Sequence, residues 1–126
     1  MNAREYYLGI QAAIHAAPHV LRSDLSFEEI DVNECYLRGV LLLVGNLALH
    51  IAEYVITEPV VKREKYRYHL QTADDKLISR WDNVAHHPTV STFPNHRHDA
   101  QGNVQASSAM SIPEVLEAIL PFIPSS

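Results

Sequence analysis

One cysteine in 126 residues, Cys35, excludes an internal disulfide and fits a reducing compartment. In its apolar, strand-like surroundings Cys35 reads as a small buried side chain rather than a nucleophile. Long hydrophobic runs are also missing. The longest, residues 40–44, is interrupted by Gly45 and Asn46 and falls far short of the ~20 residues that cross a bilayer. The first residues, MNAREYYLG, lack the charged and apolar regions of a secretory leader. No membrane association is expected, and a cytoplasmic location is. Repeats, linkers and low-complexity segments are absent, so residues 1–126 are expected to form a single domain. Excess positive charge is lacking too. The net charge of −5 argues against non-specific nucleic-acid binding, which depends on neutralising phosphates.

The charge is unevenly spread, however. Lys62, Arg63, Lys65, Arg67, Lys76 and Arg80 fall close together, whereas the acids lie mostly elsewhere, including at 24–34 and at Glu114 and Glu117. A local basic face on an acidic protein can therefore form. The segment 65–98 also holds His69, His86, His87, His96 and His98.

Tyr6, Tyr7, Ile10 and Ile14 recur at helical spacing before Pro18, which predicts a helix over 3–17. Residues 25–30 fit a short strand or a turn of helix equally well. Residues 36–44 and 47–56 are apolar and β-branched, and Gly45-Asn46 between them signals a two-residue hairpin. That register places Val44 opposite Leu47, Leu42 opposite Leu49 and Val40 opposite Ile51, with Arg38 facing Glu53 at the end of the apolar stripe. The Arg38–Glu53 pair reads as a rim salt bridge or as a ligand-binding pair.

Residues 65–72 and 77–83 form a second hairpin around Asp74-Asp75. Arg67 then faces Asp82, Tyr68 faces Trp81 and His69 faces Arg80. Tyr66, Tyr68, Leu70, Leu77 and Trp81 share the face expected to be core. Arg67, His69, Arg80 and Asp82 share the other, which has the ingredients of phosphodiester chemistry. Arginine clamps phosphate, and histidine moves protons near neutral pH. A guanidinium beside His69 favours the neutral ring of a general base. An exposed polar face with an Arg67–Asp82 pair is the plainer alternative.

Residues 85–102 are polar and Pro-punctuated and read as a long loop. His86-His87 and His96-Arg97-His98 could ligate a metal. No carboxylate or cysteine stands at an established ligand spacing, though, and Arg97 between the rings would oppose a cation. Neither a metal nor another cofactor is therefore expected. Residues 103–107 fit a last strand, and Ser111-Ile112-Pro113-Glu114 is a capping box opening a C-terminal helix. The expected fold is α+β: an antiparallel meander of four to six strands with a helix at each end packed on it.

The combination KYRYHLQ, LISRWDN, HHP and FPNHRH resembles the TumE family, the toxin half of bacterial and archaeal toxin–antitoxin modules. The resemblance extends to YYLGI, LRGVLLLVGNLALHIAEYV and the C-terminal helix, and so covers most of the chain. Val44-Gly45-Asn46, Leu70 and Asp75 depart from it, at turn and core positions only. The resemblance implies a small cytoplasmic toxin neutralised by a cognate helix-turn-helix antitoxin. By analogy with small RNA-cleaving toxins it also implies a metal-independent endoribonuclease. His69 or Glu53 would be the base, and Arg67, Arg80 and Arg38 would stabilise charge. His86, His87, His96 or His98 would be the acid. Two readings compete: a non-catalytic toxin or partner-binding protein, and a metal-dependent hydrolase built on the histidine loop. An edge strand could also pair with a second copy to give a homodimer.

Overall fold

Ala3, Tyr6, Ile10 and Ile14 turn one buried stripe inward along helix α1, Ala3–Ala16. Asn2 caps it reciprocally: its side chain accepts from the Glu5 amide at 2.8 Å, and the Glu5 carboxylate accepts from the Asn2 amide at 2.9 Å. The computed structural model describes residues 1–124. After α1 come β1 (Val20–Asp31), β2 (Glu34–Leu43), β3 (Leu47–Ile56), β4 (Lys62–Gln71), β5 (Leu77–Asp82), β6 (His96–Asp99) and β7 (Val104–Ala106). Helix α2, Ile112–Ala118, follows with Ser111 as its cap. A 3-10 turn over Leu120–Phe122 comes after it.

The strands form one antiparallel sheet in sequential order, β1 to β7. The α+β meander expected from sequence is thus present, with seven strands rather than four to six. The undecided residues 25–30 belong to β1, a largely exposed edge strand in which Leu25 and Phe27 pack toward the core. The segment read as loop contains β6. Its pattern, His-Arg-His-Asp, carries no apolar alternation, and backbone pairing to β5 makes it a strand.

Both helices pack on one face of the sheet. There Tyr6 reaches Glu53, and the His19 Nε2–H donates to the Leu116 carbonyl of α2 at 2.9 Å. Leu37, Leu41, Leu49, Tyr68, Leu70 and Trp81 supply the sheet side of the core. Among the described residues, the other face carries no helix.

The first hairpin departs from expectation by one residue. Leu43 pairs with Leu47, so the turn is the three residues Val44-Gly45-Asn46, with φ of 87° at Gly45 and 59° at Asn46. The β3 face is as expected, but β2 is turned over: Leu37, Leu41 and Leu43 are buried and Leu42 is exposed. Residues 40–44 are apolar on both alternations, so either register satisfies the pattern, and turn length decides. Arg38 consequently sits opposite Ala52 on the uncovered face while Glu53 sits opposite Leu37. The expected Arg38–Glu53 pair does not exist.

The second hairpin has the expected register, Arg67 opposite Asp82, Tyr68 opposite Trp81 and His69 opposite Arg80. A register shift past Leu70 puts Gln71 opposite Leu77. Ile78 packs against the core cluster, and Leu77 is only half-buried.

Gly39 is needed for the contact between β1 and β2. A Cβ there would lie 2.3 Å from the Asp24 carbonyl oxygen and 2.8 Å from Leu25 Cδ2. The backbone oxygen can yield only if the strands move apart. Gly39→Ala is expected to destabilise the fold by about 1–3 kcal/mol, read as a lower urea midpoint at unchanged slope.

Candidate active site

Alternation along each strand sends every second side chain to the uncovered face, and the register aligns these side chains in rows. One row runs Val40, His50, His69, Arg80, His98, Val104 across β2 to β7. The neighbouring row runs Arg38, Ala52, Arg67, Asp82, His96, Ala106. Two arginines flank Ala52, whose small side chain leaves space between them. A groove of about 380 Å³ opens there, lined by Tyr36, Arg38, Val40, His50, Ala52 and Arg67 among others.

His50 and His69 meet edge to face with ring centroids 6.4 Å apart. Burial pushes the pKa of His69 down from its ordinary value, and the Arg80, His50 and Arg67 charges push it the same way. Its neutral form, the form able to accept a proton, is therefore favoured.

Asp82 is nearly fully buried and holds the far end of the face together. Its Oδ2 accepts from Arg80 Nε at 3.2 Å, and its Oδ1 accepts from the Val84 amide at 3.0 Å. His96 Nε2 lies 2.9 Å from Oδ1, and His98 Nε2 lies 3.7 Å from Oδ2. His96 Nδ1 donates to the Pro94 carbonyl at 2.9 Å, which fixes the ring and turns Nε2 to the carboxylate. The loop after β5 lays His87 over both rings, with centroids 4.9 Å from His96 and 5.5 Å from His98. His98 is held below its ordinary pKa, chiefly by burial.

Arg38, Arg67, His69, Arg80, Asp82, His87, His96 and His98 thus all belong to the uncovered face or the loop folded on it. His86 is exposed beside them, and its side chain has no hydrogen bond, ion pair or ring contact among the described residues.

A family model for the toxin TumE matches residues 10–125. The chain belongs to the TumE toxin family. Neither the curated proteins nor the solved structures give a significant match. The region matched to TumE includes both rows of the open face and the histidine loop.

Sequence reasoning missed His50. Its partner in the row is set by cross-strand register, and no local motif marks it. It also missed the structural roles of two asparagines in the segments resembling TumE. Asn83 accepts from the Tyr66 amide at 2.9 Å and donates to the Glu64 carbonyl at 3.0 Å. Asn95 accepts from the Tyr66 hydroxyl at 2.8 Å. They fasten the two ends of the loop that carries His87.

Glu53, a candidate base, lies on the helix-covered face, 1% exposed. It accepts from the Tyr6 hydroxyl at 2.5 Å and from the Tyr68 hydroxyl. Arg63 Nε stands 3.4 Å from it, with the guanidinium over the Tyr6 ring. Burial raises both phenol pKa values well above the ordinary range, and the Glu53 charge raises them further, so these groups remain hydroxyl donors. Glu53 is a buried acceptor joining α1 to β3 and β4. Glu53→Ala is expected to cost about 3–5 kcal/mol, because it strands the Arg63 charge and two hydroxyls. Glu53→Gln, which keeps the volume and one acceptor, should cost less. Urea unfolding of both variants checks the order.

Proposed function

We propose that this toxin is an endoribonuclease that uses the open sheet face and no metal in the chemical step. The supporting observation is the His50–His69–Arg80 row beside the groove between Arg38 and Arg67. Arginine on both sides of a small floor suits one phosphodiester. Rings 6.4 Å apart can address two oxygens of the same phosphate.

Neutral His69 takes the proton of a ribose 2′-hydroxyl, and that oxygen attacks phosphorus. The bond to the 5′-oxygen breaks, and His50, in the role of acid, supplies the proton this oxygen needs. The products are a 2′,3′-cyclic phosphate and a 5′-hydroxyl. Arg67, Arg80 and Arg38 stabilise the negative charge that builds on the phosphoryl oxygens. His50 takes the acid role because it neighbours His69, whereas His98 lies beyond Arg80, two strands away. All these groups come from one chain, so the chemistry does not depend on an edge-to-edge dimer. A neutralising antitoxin accompanies the toxin role, and we assign that part to a helix-turn-helix protein on the strength of the resemblance.

Inducible expression with examination of total RNA tests the reading. Wild type is expected to arrest growth and produce new RNA fragments. His69→Ala and Arg67→Ala are expected to lose both, with cleavage reduced at least ~10²-fold, while remaining soluble. Growth arrest by a soluble His69→Ala/Arg67→Ala double variant would contradict a catalytic face and favour a toxin that acts by binding. The pH profile gives a second check. A base whose pKa is lowered stays neutral as pH falls, so the acid limb should lie below the ordinary histidine value of 6.5.

A further inference from the structure

His87, His96 and His98 each present a ring nitrogen, and these three nitrogens lie within 4.8 Å of one another. The rings stand roughly perpendicular, at 71° to 73° in each pair, so they surround a common point instead of stacking. The buried Asp82 carboxylate lies just outside this trio, with Oδ1 2.9 Å from Nε2 of His96 and Oδ2 3.7 Å from Nε2 of His98.

Two features distinguish this cluster from a chance crowding of polar side chains. The Pro94 carbonyl can only accept, so the Nδ1 of His96 carries its hydrogen and Nε2 is the coordinating nitrogen. That is the outer hydrogen bond that metal-binding histidines typically make. Asp82 is similarly braced: Arg80 occupies Oδ2, and the Val84 amide donates to Oδ1. A cation would stand between His96 Nε2 and the Asp82 carboxylate.

The objection raised by Arg97 does not survive the fold. β6 sends Arg97 to the opposite face, where its Nε donates to Ser79 Oγ at 2.6 Å and its guanidinium lies over Trp81. The spacing that sequence reasoning found wanting is supplied by β5. Asp82 is the carboxylate, and it stands directly opposite His96 in the register.

We infer that His87, His96, His98 and Asp82 form a binding site for a divalent metal of the zinc class. Three imidazole nitrogens and one carboxylate oxygen suit zinc, while calcium and magnesium prefer oxygen ligands. Tetrahedral ligands at zinc distances stand about 3.3 Å apart, so the histidine trio must draw together and the 2.9 Å contact between His96 and Asp82 must open slightly. With Asp82 drawn in as the fourth ligand, the protein leaves no open coordination position, which makes the site structural. The metal fastens the loop after β5 to β5 and β6 beside Arg80. This inference is independent of the RNA-cleavage reading.

The test uses untagged full-length protein dialysed against zinc and then against metal-free buffer, with elemental analysis. Cobalt(II) absorbance reports the coordination geometry. One zinc per chain is expected, with the intense visible bands of tetrahedral cobalt(II) and a zinc-dependent rise in melting temperature. The His87→Ala/His98→Ala double variant keeps the buried His96 and Asp82, so it should retain its circular dichroism. It should also lose the stoichiometric metal, the cobalt bands and the zinc-dependent melting shift. His87→Ala alone should weaken zinc affinity at least about tenfold. Substoichiometric zinc on the wild type would overturn the site, as would equal zinc retention by a folded double variant.

Discussion

Two helices cover one face of a seven-stranded meander, and the other face must then be tolerable to water. This constraint sorts the sequence. Strict alternation sends apolar side chains beneath α1 and α2 and collects arginine, histidine and aspartate on the open side. Sequential strand order does the rest, because each cross-strand register adds one residue to a row. His50, His69, Arg80 and His98 are distant in sequence and become neighbours along one line.

A buried carboxylate serves each face differently. Glu53 satisfies Tyr6 and Tyr68 and lies beside the Arg63 guanidinium within the core, tying α1 to the middle of the sheet. Asp82 faces the other way and gathers Arg80, His96 and His98 at the far end of the open face. Exchanging either for a neutral apolar residue would therefore have separable consequences. At position 53 the change would weaken the packing of α1, and at position 82 it would loosen the side chains around the open face.

The second hairpin was legible in the sequence because Tyr-x-Tyr and Arg-Trp-Asp alternate unambiguously, although the turn is longer than the expected Asp74-Asp75 pair. Arg67, His69, Arg80 and Asp82 followed from it directly. The first hairpin was legible as an element but not in register. Residues 40–44 are apolar on both alternations, so no pattern distinguishes a two-residue turn from a three-residue one. That single step moved Arg38 onto the open face and away from Glu53, which stays on the covered face. β6 was invisible because His-Arg-His-Asp has no apolar period, and its strand character comes from pairing with β5. With β6 read as loop, neither the orientation of Arg97 nor the pairing of His96 with Asp82 could be foreseen. His50 needed the β3–β4 register, which no short motif encodes.

The central claim is that the open face cleaves RNA by attack of the neighbouring 2′-hydroxyl. The most direct measurement is to incubate the purified protein with a defined RNA and identify the chemical ends of the products. A matching strand carrying 2′-deoxyribose at the cut position serves as the comparison. A 2′,3′-cyclic phosphate with a 5′-hydroxyl, and no cut in the 2′-deoxy strand, is the predicted result. Products ending in 5′-phosphate, cleavage of the 2′-deoxy strand, or intact RNA would contradict the account.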